Sequence, residues 1–110
     1  MSDTYKIIIL PEAQQDIRNI VLYIATELVS PQSALNLQKT FLDEISKLSF
    51  MPKMIKPIDE QPWGKQGVRK ISVKNYYVYF VVDDHTMEVK IMAVIYTKME
   101  QVSQLAKRKP

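Results

Sequence analysis

Two apolar stripes, each opened near a proline and joined by a few residues, constrain this chain more than anything else in it. Ala13, Ile17, Ile20, Val21, Ile24, Ala25 and Leu28 recur at three- and four-residue steps, the spacing that lines up side chains on one face of an α-helix. Pro11 stands just before them, and proline is tolerated in a first helical turn because its missing N–H would have no partner there. The spacing predicts a helix over 12–28. Ser30-Pro31 then restarts the chain, with serine a good N-cap and proline suited to the first helical position. Ala34, Leu37, Phe41, Ile45 and Leu48 form the second stripe, with Leu35 and Leu42 at its flank, and predict a helix near 31–49. So short a link makes the pair an antiparallel hairpin.

One-sided helices must bury their stripes against another layer, and the remaining sequence supplies strands. Tyr5 to Leu10 is a short β-branched run that reads as a strand. Pro52, Pro57 and Pro62, backed by Gly64 and Gly67, leave no room for a regular element. Residues 50–67 are therefore read as a long basic loop, with Trp63 pinning it to the body. Three strand-like runs follow: Val68 to Val73, Tyr76 to Val82 and Met87 to Tyr96, linked by a tight turn at Lys74-Asn75 and another at Asp83 to Thr86. Such short turns make an antiparallel meander. In the last run, strict alternation puts Val89, Ile91, Ala93 and Ile95 on one face and Lys90, Met92, Val94 and Tyr96 on the other. Residues 97–106 read as a short helix and 107–110 as a mobile tail. The fold class is α+β: a helical hairpin on one face of a small antiparallel sheet, order β-α-α-β-β-β with a short C-terminal helix. The partner of the first strand is left open. At 110 residues the chain suits a single domain over 1–110.

Composition narrows the chemistry. The chain has no cysteine and one histidine, His85. That removes thiol chemistry and disulfides, makes a Ser-His-Asp triad hard to build, and gives an expectation of no metal and no cofactor. His85 lies in Asp83-Asp84-His85-Thr86 and reads as a solvated turn residue. No apolar run approaches the ~20 residues of a membrane span, and Met1-Ser2-Asp3-Thr4 has no signal-peptide character. The expectation is a cytoplasmic protein that does not engage a membrane. Net charge is +3, unevenly placed. Lys53, Lys56, Lys65, Arg69, Lys70 and Lys74 face only Asp59 and Glu60 in that stretch, and Lys107, Arg108 and Lys109 follow in the tail. The first helix is instead acidic. A basic region of this kind suits an acidic partner or a phosphate backbone.

The order of elements resembles the RelE/ParE superfamily of type II toxin–antitoxin toxins, its ParE branch in particular. The resemblance rests on Tyr5 and the strand after it, on Ala13, Asp16, Ile17, Ile20 and Tyr23, and on Ala34, Ile45, Leu48 and Pro52. It continues through Gly67-Val68-Arg69, Tyr77-Val78-Tyr79-Phe80, Val89 to Tyr96, Met99, Glu100 and Leu105. It spans roughly 5–106; each motif is degenerate and the ordered set is fairly specific. The resemblance implies a cognate antitoxin in a hetero-oligomer, with an amphipathic helix and an added strand filling a groove beside the hairpin and a sheet edge. It implies one of two targets. RelE-like members resemble metal-independent endoribonucleases that cut mRNA on the ribosome. ParE-like members are known as inhibitors of DNA gyrase.

RNA cleavage through the 2′-hydroxyl needs a base, an acid and positive charge on the phosphate. The candidates are Arg69, Lys70, Lys98 and Tyr96, with Lys74 nearby. The arginine that the family's nucleases carry early in the central strand is matched here by Tyr77, and residues 97–110 hold neither tyrosine nor histidine. Part of the nuclease set is thus missing, which favours a ParE-like, non-enzymatic gyrase inhibitor; the alternative is the ribosome-dependent ribonuclease, and a third is a binding module without toxicity. Target or antitoxin contacts are expected from Lys65, Arg69, Lys74, Tyr77, Lys98, Met99 and Leu105. Arg69 has a plainer reading as the ion-pair partner of Asp59 or Glu60.

Overall fold

The computed structural model describes residues 4–108, so the leader reading at Met1-Ser2-Asp3 and the last two tail residues, Lys109 and Pro110, lie outside the described residues. The elements are β1 (Lys6–Ile9), α1 (Pro11–Thr26), α2 (Pro31–Ser46), β2 (Arg69–Val73), β3 (Tyr76–Asp83), β4 (Glu88–Tyr96) and α3 (Gln101–Leu105). Single 3-10 turns at Lys47–Ser49 and Pro52–Met54 fall between α2 and β2. Among the described residues no helix is long and apolar enough to cross a membrane.

Both helices begin at their prolines. Ser30 holds the N-cap place of α2, but its hydroxyl donates to the Ser33 hydroxyl (2.7 Å) and takes no backbone N–H. The expected cap is therefore positional only, and the proline start carries the helix. The helix expected over 12–28 stops at Thr26, and Val29 takes a left-handed φ of 47°. This is an uncommon place for a β-branched residue.

Ala13 and Ile17 of α1 meet Phe41 and Ile45 of α2 over Val73, Val78, Phe80, Val89, Ile91 and Val94 of the sheet. Phe41 and Phe80 are wholly buried; burying a side chain of this size contributes about 1.5–3 kcal/mol by transfer from water. Of the stripes read from the sequence, Ala13, Ile17, Ile20 and Val21 pack in the first and Leu37, Phe41, Ile45 and Leu48 in the second, while Leu28, Leu35 and Leu42 are left exposed.

The sheet order is β1-β4-β3-β2. β2, β3 and β4 form the expected antiparallel meander. β1 departs from the all-antiparallel expectation: it lies parallel to β4, Ile7 opposite Val89 and Ile9 opposite Ile91, and the sheet is mixed. The strict alternation expected along β4 also fails. Tyr79 pairs with Ala93 and Phe80 with Ile91, so Met92 is an extra residue in a β-bulge. An inserted residue reverses which side the following side chains face. Val89, Ile91 and Val94 therefore face the helices, while Met92, Ala93 and Ile95 join a second apolar cluster.

That second cluster fills the other side of the sheet with Ile58, Trp63, Val68, Tyr79 and Leu105. Trp63 is only 9% exposed and pins the 50–67 loop, as its position in the sequence suggested. The loop closes tightly: a Cβ on Gly64 would stand 2.2 Å from the Ile58 carbonyl oxygen. Gly67 enters β2 at φ 83°, a conformation glycine adopts without a Cβ penalty.

Candidate functional site

A groove of about 880 Å³ opens where the hairpin overhangs one end of the sheet. Ile20, Tyr23, Ile24 and Leu28 line it from α1 and the turn beyond, and Ser33, Asn36, Leu37 and Thr40 from α2. The β2–β3 turn adds Lys74, Asn75 and Tyr76, and the end of β4 adds Tyr96. Its walls are apolar, its rim carries amides and hydroxyls, and Lys74 is the one charged lining residue. Tyr76 stacks obliquely on Tyr96, ring centres 5.7 Å apart, and meets Phe41 edge-on at 5.4 Å. Burial, with Tyr96 beside it, pushes the Tyr76 phenol above its usual range. A groove of this size and polarity accepts an amphipathic helix or a comparably bulky ligand.

The residues singled out from the sequence divide among separate places. Lys74 and Tyr96 meet at the groove, and the Thr97 N–H donating to the Asn75 carbonyl (2.9 Å) ties the two chain turns together there. Lys74 holds φ at 55°, so the turn is tight as expected, with lysine where glycine or asparagine is usual. Lys70 and Tyr77 lie on the opposite face, the Lys70 ammonium 4.0 Å from the Tyr77 ring centre and 5.9 Å from that of Tyr79. Lys65 is exposed in the loop, and Lys98 and Met99 are exposed between β4 and α3.

Two expectations need correction. Arg69 pairs with neither Asp59 nor Glu60. Its guanidinium donates to the backbone carbonyls of Ile55 and Lys53, and its Nε is buried without a partner. The cause is backbone proximity: a bridge between Pro57 and Arg69 lays the loop along β2 and brings carbonyls, not carboxylates, to the guanidinium. Leu105 is fully buried in the second cluster and presents no surface to a partner.

The C-terminal segment is tied down at several points. Glu100 caps α3, its carboxylate accepting from the Val102 (3.1 Å) and Ser103 (2.9 Å) amides. Tyr79 donates to Gln101 Oε1 (2.8 Å), and Gln101 Nε2 donates to the carbonyls of Tyr96 and Met99. Arg108, read from the sequence as tail, is clasped by Asp16 of α1 with a side chain 12% exposed. Asp16 Oδ2 also accepts the Val94 N–H (2.9 Å), which lies past the end of β1, where β4 has lost that neighbour.

Sequence reasoning did not single out Tyr76 and Asn75, which line the groove; of the adjacent tyrosines it named Tyr77, as a candidate partner contact. The signal was present: Tyr76 shares strand parity with Val78 and Phe80, both core residues facing the hairpin. Among the described residues no cluster of three or more acidic or histidine side chains converges in a metal-binding arrangement.

Comparison with known proteins fixes the class. The family model for the ParE toxin of the type II toxin–antitoxin system parDE matches residues 7–101. The chain belongs to that family, within the RelE/ParE superfamily of toxins. A chain of the chromosomal ParDE toxin–antitoxin system from P. aeruginosa superposes with a TM-score of 0.72 at 17% identity, covering 88% of this chain and 100% of that one. The toxin–antitoxin complex RelBE2 from Mycobacterium tuberculosis gives 0.56 at 16%, covering 84% and 98%. A free-state mutant of the E. coli toxin RelE gives 0.60 at 12%, covering 92% of each. At these identities the likeness is one of fold. No curated relative matches the chain in sequence.

Proposed function

We propose that this toxin acts in the cytoplasm by binding and inhibiting DNA gyrase, and that a cognate antitoxin neutralises it in a hetero-oligomer. The observation that carries this reading is the scatter of the candidate nuclease groups. Cleaving an RNA phosphodiester requires a base, an acid and a cation gathered at one phosphate. Here Lys70 sits on one side of the sheet with Tyr77, Tyr96 on the other in the groove, and Arg69 is occupied by the loop carbonyls. Inhibition by binding needs a surface, not a converged site. The groove between α1 and α2 is the place for an amphipathic antitoxin helix, and the β2 edge beyond the Pro57 bridge at Arg69 offers backbone groups for an added strand. Lys65, Lys74, Lys98 and Met99 are the exposed candidates for partner contacts.

The test is to induce the toxin alone and follow plasmid supercoiling and amino-acid incorporation together. Relaxed plasmid with early translation spared is the expected result. A prompt translation stop with unchanged supercoiling would replace this reading with the RelE-like ribonuclease. Unaffected growth would point to a binding module without toxicity.

A further inference from the structure

β1 is too short to cover β4. It pairs with Glu88 to Ile91 and no further, whereas β4 runs on to Tyr96. Among the described residues no strand lies beside Met92 to Tyr96 on that side. An edge of this kind is a template for another strand, because its backbone groups point outward without strand partners. The sequence makes it a strong one. Ile91-Met92-Ala93-Val94-Ile95-Tyr96 contains no charge, no proline and no glycine, the composition of segments that stack on their own copies. Here side chains and a turn meet the edge instead. The Val94 N–H donates to Asp16 Oδ2 (2.9 Å), and Arg108 Nη1 reaches the Met92 carbonyl (3.5 Å). The Tyr96 carbonyl accepts from the Met99 N–H (3.0 Å) and from Gln101 Nε2 (2.9 Å). Asp16 and Arg108 also bind each other, so the segment after β4 is drawn back along the strand it leaves.

We propose that the outer edge of β4 is a latent self-pairing surface, that its occupant is the same edge of a second copy of this chain, and that the Asp16–Arg108 clasp is the latch that keeps it closed. The sequence of the edge decides the occupant. No cation or anion lies between Ile91 and Tyr96 to select an oppositely charged partner, and two copies of an uncharged run meet without like-charge repulsion. A two-fold contact between identical antiparallel edges is self-complementary, each copy offering the N–H and C=O groups that the other needs. The latch works by chemistry that strand edges commonly use against such pairing, charged side chains set where a second backbone would lie. An incoming strand must displace both Asp16 and Arg108 before it reaches Val94 and Met92. The inference does not depend on which target the toxin arrests.

The full-length toxin, separated from its antitoxin in denaturant and refolded alone, tests it in four forms: wild type, Asp16→Ala, Arg108→Ala and Gly67→Ala. The last is destabilised at the opposite edge of the sheet and leaves the latch intact. Sedimentation velocity over a range of concentrations reads self-association, and deuterium exchange reads the amides of residues 92–96. The expected result is self-association of Asp16→Ala roughly tenfold tighter than that of the wild type or more, with Gly67→Ala behaving as the wild type. Arg108→Ala, which keeps Asp16 on the Val94 amide, should associate to a smaller degree. In Asp16→Ala the Val94 amide should exchange quickly in dilute monomer and regain protection as the copies pair. Asp16→Ala that stays monomeric overturns the proposal, as does association without protection of 92–96. Equal association in Gly67→Ala also overturns it, by tracing the effect to lost stability rather than to an opened edge. If Asp16→Ala does not refold, Arg108→Ala carries the test, and its remaining monomeric overturns the proposal.

Discussion

Asp16 and Arg108 stand 92 positions apart and form a two-point pair, Nη1 to Oδ2 at 2.7 Å and Nη2 to Oδ1 at 2.9 Å. The same carboxylate takes the Val94 amide just beyond the β-bulge. One side chain of α1 thus holds both the free edge of β4 and the end of the chain. Asp16→Ala should destabilise the fold by about 2–3 kcal/mol, since hydrogen bonds to charged groups are the stronger ones and the guanidinium is left with only the longer contacts to Glu12 (3.6 Å) and the Met92 carbonyl (3.5 Å). Arg108→Ala should cost less, because Asp16 keeps the Val94 amide. Urea denaturation of both single variants and the double variant measures the coupling. A change below about 0.5 kcal/mol for Asp16→Ala would mean that the clasp is ornamental.

Glu100 gives α3 a pH dependence with a definite sign. Backbone amides, that of Ser103 first, hold its carboxyl below the usual glutamate range. A depressed folded pKa means that the cap's contribution is complete above the unfolded value of about 4.3, and is lost as pH falls through the folded value. The sole tryptophan, Trp63, shares its cluster with Leu105 of α3. Its emission should therefore shift on acidification before the whole protein unfolds. Glu100→Gln should abolish that early step; an identical titration in the variant would rule the cap out.

Much of this architecture was legible in the sequence because it is local and periodic. The hairpin follows from the three- and four-residue spacing of Ala13 to Leu28 and Ala34 to Leu48, and the meander from two short turns. What was not legible depends on contacts far apart in the chain. The extra residue at Met92 looks like ordinary alternation until Phe80 is placed opposite Ile91. Arg69 finds loop carbonyls because Pro57 lies beside it, and nothing local distinguishes that from an ion pair with Asp59. Arg108 reads as tail because its partner lies in α1. The groove was expected beside the hairpin, yet Tyr76 was not singled out for it, since Tyr77 and Tyr76 differ only in which way the strand faces.

The two glycines of the loop should respond differently to a methyl group. Gly64→Ala drives a Cβ against the Ile58 carbonyl, backbone that cannot swing away, and should cost about 1–3 kcal/mol. Gly67→Ala meets no atom within 4 Å and suffers only from its positive φ, about 1–2 kcal/mol. Gly67→Asn, which tolerates left-handed backbone, should recover part of that loss, whereas Gly64→Asn should be no better than alanine. Thermal melting of the four variants checks the pattern.

Arg69 separates structure from catalysis. If its role is to hold the Ile55 and Lys53 carbonyls, one half-buried and one exposed, Arg69→Met should lower stability by about 1–2 kcal/mol, the range for hydrogen bonds from a charged donor that water can partly replace. Arrest should then weaken only in proportion to the folded protein lost. Full loss of arrest in a variant that melts like the wild type would instead identify a catalytic arginine and return the ribonuclease reading.

The groove should bind its partner by two separable forces. Lys74 is its one charged lining residue, and Leu28 stands at its apolar end. Against an acidic antitoxin segment, Lys74→Glu should weaken binding roughly tenfold, or about 1.4 kcal/mol. That deficit should shrink in high salt, where exposed charges are screened over about 3 Å at 1 M. Leu28→Asp removes apolar contact and introduces a charge to be desolvated, so its loss should persist at every salt concentration. Titration of purified toxin variants with the adjacently encoded antitoxin at low and high salt reads both. Unchanged affinity in Leu28→Asp would move the antitoxin off the groove and onto the β2 edge.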